Sequence, residues 1–136
     1  MSFTAARVSI LKFFSVPWAA RIPVAYDDVD FTIPSPPSIW ARFNVKHFNA
    51  YQSSIGDPGA NKFRRQGMVT VQIFAPEKGA TQDAVAKGDE VVSLFEGKTR
   101  FEGVIFSNVR MTEVGPDGMG WYQVNVKIDF EYDDLA

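Results

Sequence analysis

Tyr122, Val124, Val126, Ile128, Phe130 and Tyr132 alternate with Gln123, Asn125, Lys127, Asp129 and Glu131. A period of two marks a strand with one buried face, and it predicts a strand over 120–132. Three other stretches follow the rule less cleanly. From Ile39, the residues Ala41, Phe43 and Val45 point one way and Trp40, Arg42, Asn44 and Lys46 the other. Val69, Val71 and Ile73 then oppose Met68, Thr70, Gln72 and Phe74, and Pro76 stops the run. A further strand is predicted over about 100–112. The run VGPDGMG joins it to the last strand, with Pro-Asp-Gly as the hairpin turn.

Between the two hairpins, TQDAVAKGDEVVSLFE (81–96) has helical spacing. Thr81 is placed to cap it, Asp83 suits the positive end, and Gly97 offers a left-handed stop. Ala84, Gly88, Val91 and Phe95 form one stripe, flanked by Val85 and Val92. Gly88 costs roughly 1 kcal/mol of helix propensity, so its place on that stripe predicts close approach to a sheet. A first helix is predicted from a Ser2 cap to about Phe14. Its spaced positions are Val8, Leu11 and Ser15, with Ile10, Phe13 and Phe14 alongside, and Pro17 ends it. The prolines of PWAARIPVAYDDVDFTIPSPPS (17–38) exclude a regular helix or a central strand there. Two short extended pieces, 22–26 and 31–33, are left to lie along a sheet edge. The resulting expectation is one α+β domain over 1–136, built on a four-stranded, mainly antiparallel sheet of two hairpins. A helix at 1–16 and the central helix pack on it, 17–38 is an irregular arm, and 133–136 is a solvated acidic tail.

One connection is too long for its job. SSIGDPGANKFRRQG (53–67) separates two strands that a turn of two to five residues would join. It carries Lys62, Arg64 and Arg65 in a chain whose formal net charge is −2. That overall charge argues against a dedicated nucleic-acid binder, though not against a local basic patch. Two readings stand: Lys62, Phe63, Arg64 and Arg65 form a projecting contact surface, or Arg64 and Arg65 simply open the next strand as an exposed face. Aromatics make up 14% of the 136 residues, 12 of them Phe, which suits a sheet-rich core. Cysteine is absent, so no disulfide or thiolate metal site forms. The apolar stretch 8–16 is short and contains Lys12, so it reads as a helix and not a signal peptide. No run reaches the 18 apolar residues of a membrane helix, and no membrane partner is expected.

Candidate chemistry is thin. His47, the one histidine, has no nucleophile or carboxylate placed beside it by a motif, and reads as a partly exposed structural residue. Asp27, Asp28 and Asp30 form DDVD, but a calcium loop needs a glycine turn and a closing glutamate, so a solvated turn fits better. Gly56-Asp57-Pro58-Gly59 lacks a phosphate-loop pattern, and Pro58 removes a backbone donor. There is no GxSxG. The expectation is a non-enzyme with no cofactor or metal. Trp40, Phe74 and Trp121 fall on the less apolar strand face. Either the arm or the first helix covers them, or they serve a subunit interface, where aromatics are enriched.

Several stretches together resemble a known family. RIPVAYDDVDF (21–31), IWARFNV (39–45), SSIGDPG, RRQGMVTVQIFAPEKGAT and GWYQVNVKIDFEYDD are similar to the tail-terminator (tail completion) proteins of long-tailed bacteriophages, over about residues 21–132. Asp28 stands where asparagine is expected in that family. The resemblance implies a virion protein forming a ring, usually of six subunits, at the head-proximal end of the tail. Such a ring stops tube polymerisation and meets tail tube protein on one side and a head-side connector protein on the other. It also implies contacts made by long loops, here Lys62, Phe63, Arg64 and Arg65, with acidic tube subunits, a neighbouring copy or DNA in the lumen. A head–tail connector ring is the alternative, and a small non-viral binding module a second.

Overall fold

Four long strands make the body of the sheet: β2 (Trp40–Gln52), β3 (Lys62–Pro76), β5 (Val104–Pro116) and β6 (Trp121–Leu135). Two-residue strands, β1 (Val24–Ala25) and β4 (Arg100–Phe101), lie on its two edges. Helix α1 (Phe3–Trp18) precedes β1, and α2 (Thr81–Gly97) connects β3 to β4. The computed structural model describes residues 1–18, 22–27, 29–35, 37–77 and 81–136. Asp28 of the DDVD run and Arg21 lie outside the described residues.

Among the described residues the sheet is six-stranded in the order β1-β2-β3-β6-β5-β4, antiparallel throughout except for the β1–β2 pair. The α+β class stands, and the four-stranded count is corrected to six. The two extra strands are too short to show any period. The hairpin partners also lie side by side through β3 and β6, which pair along their whole length from Lys62↔Leu135 to Pro76↔Trp121.

Both helices sit on one face. Val69, Val71, Ile73, Val124, Val126 and Ile128 are fully buried beneath them. Removing such side chains from water supplies most of the driving force for this fold. From α2 the buried residues are Ala84, Gly88, Val91 and Phe95, the expected stripe. A Cβ on Gly88 would run into the Met111 sulfur, so the helix does approach the sheet closely. Ser2 Oγ accepts from the Ala5 N–H at 3.1 Å, capping α1 as expected. Two details of α1 differ. It continues through Pro17 to Trp18, and its buried face is Ala6, Ser9, Ile10, Phe13, Phe14 and Trp18. Val8 and Leu11 face outward instead, 60% and 39% exposed. The aromatic rings decide this. Phe14 stacks on Phe43 at 4.5 Å and on Trp18 at 5.3 Å, while Phe13 stacks on Phe106 at 5.0 Å. That burial outweighs the smaller area of one valine and one leucine.

Candidate assembly surfaces

At one end the sheet runs on as a three-stranded lobe formed by the end of β2, the start of β3 and the end of β6, on which the start of α1 packs through Phe3. Ala50 pairs with Arg65, Tyr51 with Arg64 and Gln52 with Phe63. The expected 53–67 loop is therefore corrected to 53–61. Lys62, Phe63, Arg64 and Arg65 belong to β3, so Arg64 and Arg65 do lie at the start of the strand, but both are half-buried and not an exposed face. The acidic tail is corrected too, because Asp133 and Asp134 lie in β6 opposite Arg64 and Phe63.

Ion pairs lock the lobe. Arg64 donates from Nε and Nη2 to the two oxygens of Asp133 at 3.0 and 3.2 Å. This fork-on-carboxylate geometry is the strong form of the contact. Arg65 donates from Nη2 to Asp134 at 2.8 Å, and its guanidinium lies 4.4 Å over the Phe3 ring. The N-terminal ammonium of Met1 reaches the other oxygen of Asp134 at 2.7 Å. That ammonium, helped by Arg65, pulls the Asp134 carboxyl down to about 2. Hydrogen bonding from Arg64 lowers Asp133 as well.

His47 sits beneath this lattice, with Nε2 at 2.8 Å from the Tyr132 hydroxyl and its ring edge-on to Phe3 and Phe130. Burial lowers its pKa, and the charges of Arg7 and Arg65 add to the effect. Burial likewise pushes the Tyr132 hydroxyl up to about 12. The imidazole is thus a neutral packing element tied to Tyr132.

At the tip, residues 53–61 form a built loop. The Ser53 and Ser54 N–H groups both donate to the Lys62 carbonyl, and the Asp57 N–H donates to Asn61 Oδ1 at 3.0 Å. Asn61 and Ala136 exchange backbone bonds at 3.0 and 2.9 Å, pinning the loop to the C-terminal residue. Gly56 and Gly59 adopt φ of 95° and 91°, a region that disfavours side chains. Ile55 stands out from this frame, 86% exposed.

The aromatic surface is corrected. Trp40 and Phe74 are 3% and 9% exposed and stack on each other at 4.4 Å, with Phe31 of the arm stacked on Trp40 at 5.2 Å. Trp121, half-buried, meets Trp40 edge-on, and Arg42 lies over Trp40 and Phe74 at 5.7 and 5.9 Å. Arm coverage, the first of the two readings, describes this end of the sheet. Much of the rest of the helix-free face is polar: Asn44, Gln72, Asn125, Lys127 and Asp129 are half-buried along its strands, with Met68 and Ile105 among them.

Sequence reasoning missed the link between arm and helix. Arg7 donates to the Val45 carbonyl at 2.5 Å and to Asp27 at 3.2 Å, and Asn44 donates to Asp27 at 3.1 Å. Asp27 is thereby occupied by protein partners. Among the described residues no cluster of His, Asp or Glu is placed to hold a metal. A shallow groove of about 350 Å³ runs between Val8 and Leu11 of α1 and Tyr26 beside β1. No helix among the described residues is long and apolar enough to cross a membrane. The complementary doublets Arg64-Arg65 and Asp133-Asp134 were the one signal that foreshadowed the braced lobe, and only a longer last strand would have aligned them.

Residues 6–130 match the profile of the phage tail terminator protein family, and the chain belongs to that family. It is a phage tail structural protein. One solved structure, 19% identical, aligns over 100% of this chain and 96% of its own with a TM-score of 0.64, a likeness of fold alone. No curated protein matches the chain.

Proposed function

We propose that the protein is the ring that ends the tail tube: copies assemble at the head-proximal end, halt tube polymerisation and offer a seat to the head-side connector. Membership of the phage tail terminator family over residues 6–130 carries this reading. The braced lobe supports it, because a terminator must hold a contact surface rigidly away from its body. Ordering that surface beforehand lowers the entropic cost of docking.

The contact surface is the 53–61 loop with Ile55 and Lys62. Arg64 and Arg65 form its base, and Phe63 is half-buried between Gln52 and Asp134. Lys62 is exposed, whereas the forks of both arginines are already shared with Asp133 and Asp134. The acidic partner that the basic residues suit is a tube subunit or a neighbouring copy. DNA in the lumen is the lesser claimant, since the nearby aspartates weaken the local positive field. Trp40, Phe74 and Trp121 stabilise the body from which the lobe extends.

Tails produced without the protein test the reading. Overlong tubes are expected by electron microscopy. Tubes of normal length that fail to join heads would point instead to a connector ring, the second reading. Mass photometry of the protein mixed with tail tubes reports the oligomer directly, and a monomer under both conditions would sink the ring.

A further inference from the structure

Sheet edges need cover, because an open strand offers unpaired N–H and C=O groups to any passing strand. Here each long edge is covered at one end only. β1 pairs with Ala41 and Arg42 of β2, and beyond them Arg7 occupies the Val45 carbonyl. A bulge follows between His47 and Asn49, after which Asn49 to Gln52 are exposed. On the opposite edge β4 pairs with Val104 and Ile105 of β5. A bulge lies between Ser107 and Arg110, and Arg110 occupies the Asn108 carbonyl at 2.8 Å. Thr112 to Val114 are then exposed. Among the described residues no strand pairs with either open stretch.

The two gaps are staggered. Following the register across the sheet, Asn49 pairs with Gln66, Gln66 with Glu131, and Glu131 with Ile105, which pairs with Arg100 of β4. β4 therefore lies level with the open end of β2. By the same route Glu113, Val124, Ile73 and Ala41 are in line with Val24 of β1. β1 therefore lies level with the open end of β5. The levels are about 23 Å apart at ~3.3 Å per residue. β1 and β4 also run in the same direction, since β1 is parallel to β2 and three further antiparallel steps lead from β2 to β5 and a fourth to β4.

We propose that neighbouring copies join by these edges in a lapped joint, resting on the ring reading above. β4 of one copy lies parallel to the 49–52 end of β2 in the next, and that copy's β1 lies antiparallel to the 112–114 end of β5 in the first. The two short strands then lie end to end in a single strand's width, and the sheet passes unbroken between subunits. This head-to-tail contact uses two different edges, so it generates a ring when the rotation closes. It also explains why edges this long carry bulges and arginine plugs in their middles. Those devices block flush pairing of two long edges, the route to open-ended aggregation.

The chain has no cysteine, so each introduced thiol pair reports one contact. Asn49→Cys with Arg100→Cys tests one level, and Val24→Cys with Glu113→Cys the other. Neighbouring strands lie about 5 Å apart, and paired Cα atoms at that separation are within disulfide reach. Oxidation of the full chain, assembled alone or on tail tubes, is expected to give covalent ladders up to the ring from both pairs. Asn49→Cys with Glu113→Cys, on different levels, should give none. Asn49 and Arg100 are both exposed, so their pair decides the matter if the Val24 variant fails to fold. Rings seen by electron microscopy without ladders from the Asn49–Arg100 pair would overturn the joint and leave the ring standing. Equal ladders from the control pair would overturn it as random collision. Absence of any oligomer, with or without tubes, would remove ring and joint together.

Discussion

Gly67 of β3 faces His47 across the sheet, and a Cβ at that position would meet the Lys46 carbonyl oxygen and the Phe130 ring. Neither neighbour moves cheaply, since one is backbone and the other a core aromatic. Gly67→Ala should cost about 1–3 kcal/mol, the range for overpacking, read as a lower urea midpoint at constant slope. Gly88 makes the opposite case. Its obstacle is the end of the flexible Met111 side chain, and alanine gains about 1 kcal/mol of helix propensity. Gly88→Ala should be neutral or mildly stabilising in the same titration. Acid should act at two residues. His47 is lowered in the folded state, so protonation favours the unfolded chain, and stability should fall as pH drops through the unfolded value near 6.5. Asp134, at about 2 when folded against 3.8 otherwise, adds stability that is complete above pH 4 and lost between about 4 and 2. Asp134→Asn should flatten the second decline and leave the first, as followed by thermal melts across pH.

Among the elements, α1 shows which side of a helix the sheet selects. Phe14 is fully buried between Phe43 and Trp18, so Phe14→Ala should cost about 3–5 kcal/mol. Val8→Ala, on the exposed side, should stay within about 0.5 kcal/mol. Reversed magnitudes in chemical denaturation would mean that the helix docks by its other face. The sequence left this open because both faces of α1 carry apolar residues, and only the aromatics waiting on β2 and β5 choose between them. The last strand and α2 were legible because alternation and the 84-88-91-95 stripe each need just one buried face. The outer ends of β2 and β3 were not. There only the start of α1 reaches the strands, through Phe3 over Arg65, and polar residues on both faces erase the period. Strands β1 and β4 are shorter than any period, and their pairing depends on neighbours distant in the chain. The same gap hid the site: Arg64 and Arg65 read as loop cations until the register set them against Asp133 and Asp134.

At the scale of the whole molecule, the ring reading assigns stability and assembly to separate parts. The core lies between the helices and one sheet face, while the 53–61 loop is held by main-chain bonds to Lys62 and Ala136 and by strand pairing beneath it. Ile55 touches little of this, being 86% exposed, so its side chain contributes little to folding. Burying it in a tube subunit would contribute about 2 kcal/mol to binding, and a carboxylate in its place would cost more through desolvation. Ile55→Asp should therefore leave the melting temperature within a degree or two of wild type. It should weaken co-sedimentation with tail tubes by an order of magnitude or more. Lys62→Glu should also weaken that binding, with the wild-type contribution fading at high salt because the residue is solvent-exposed. Loss of both stability and tube binding in Ile55→Asp would place the loop inside the folding unit. Unchanged binding in both variants would move the contact to another face.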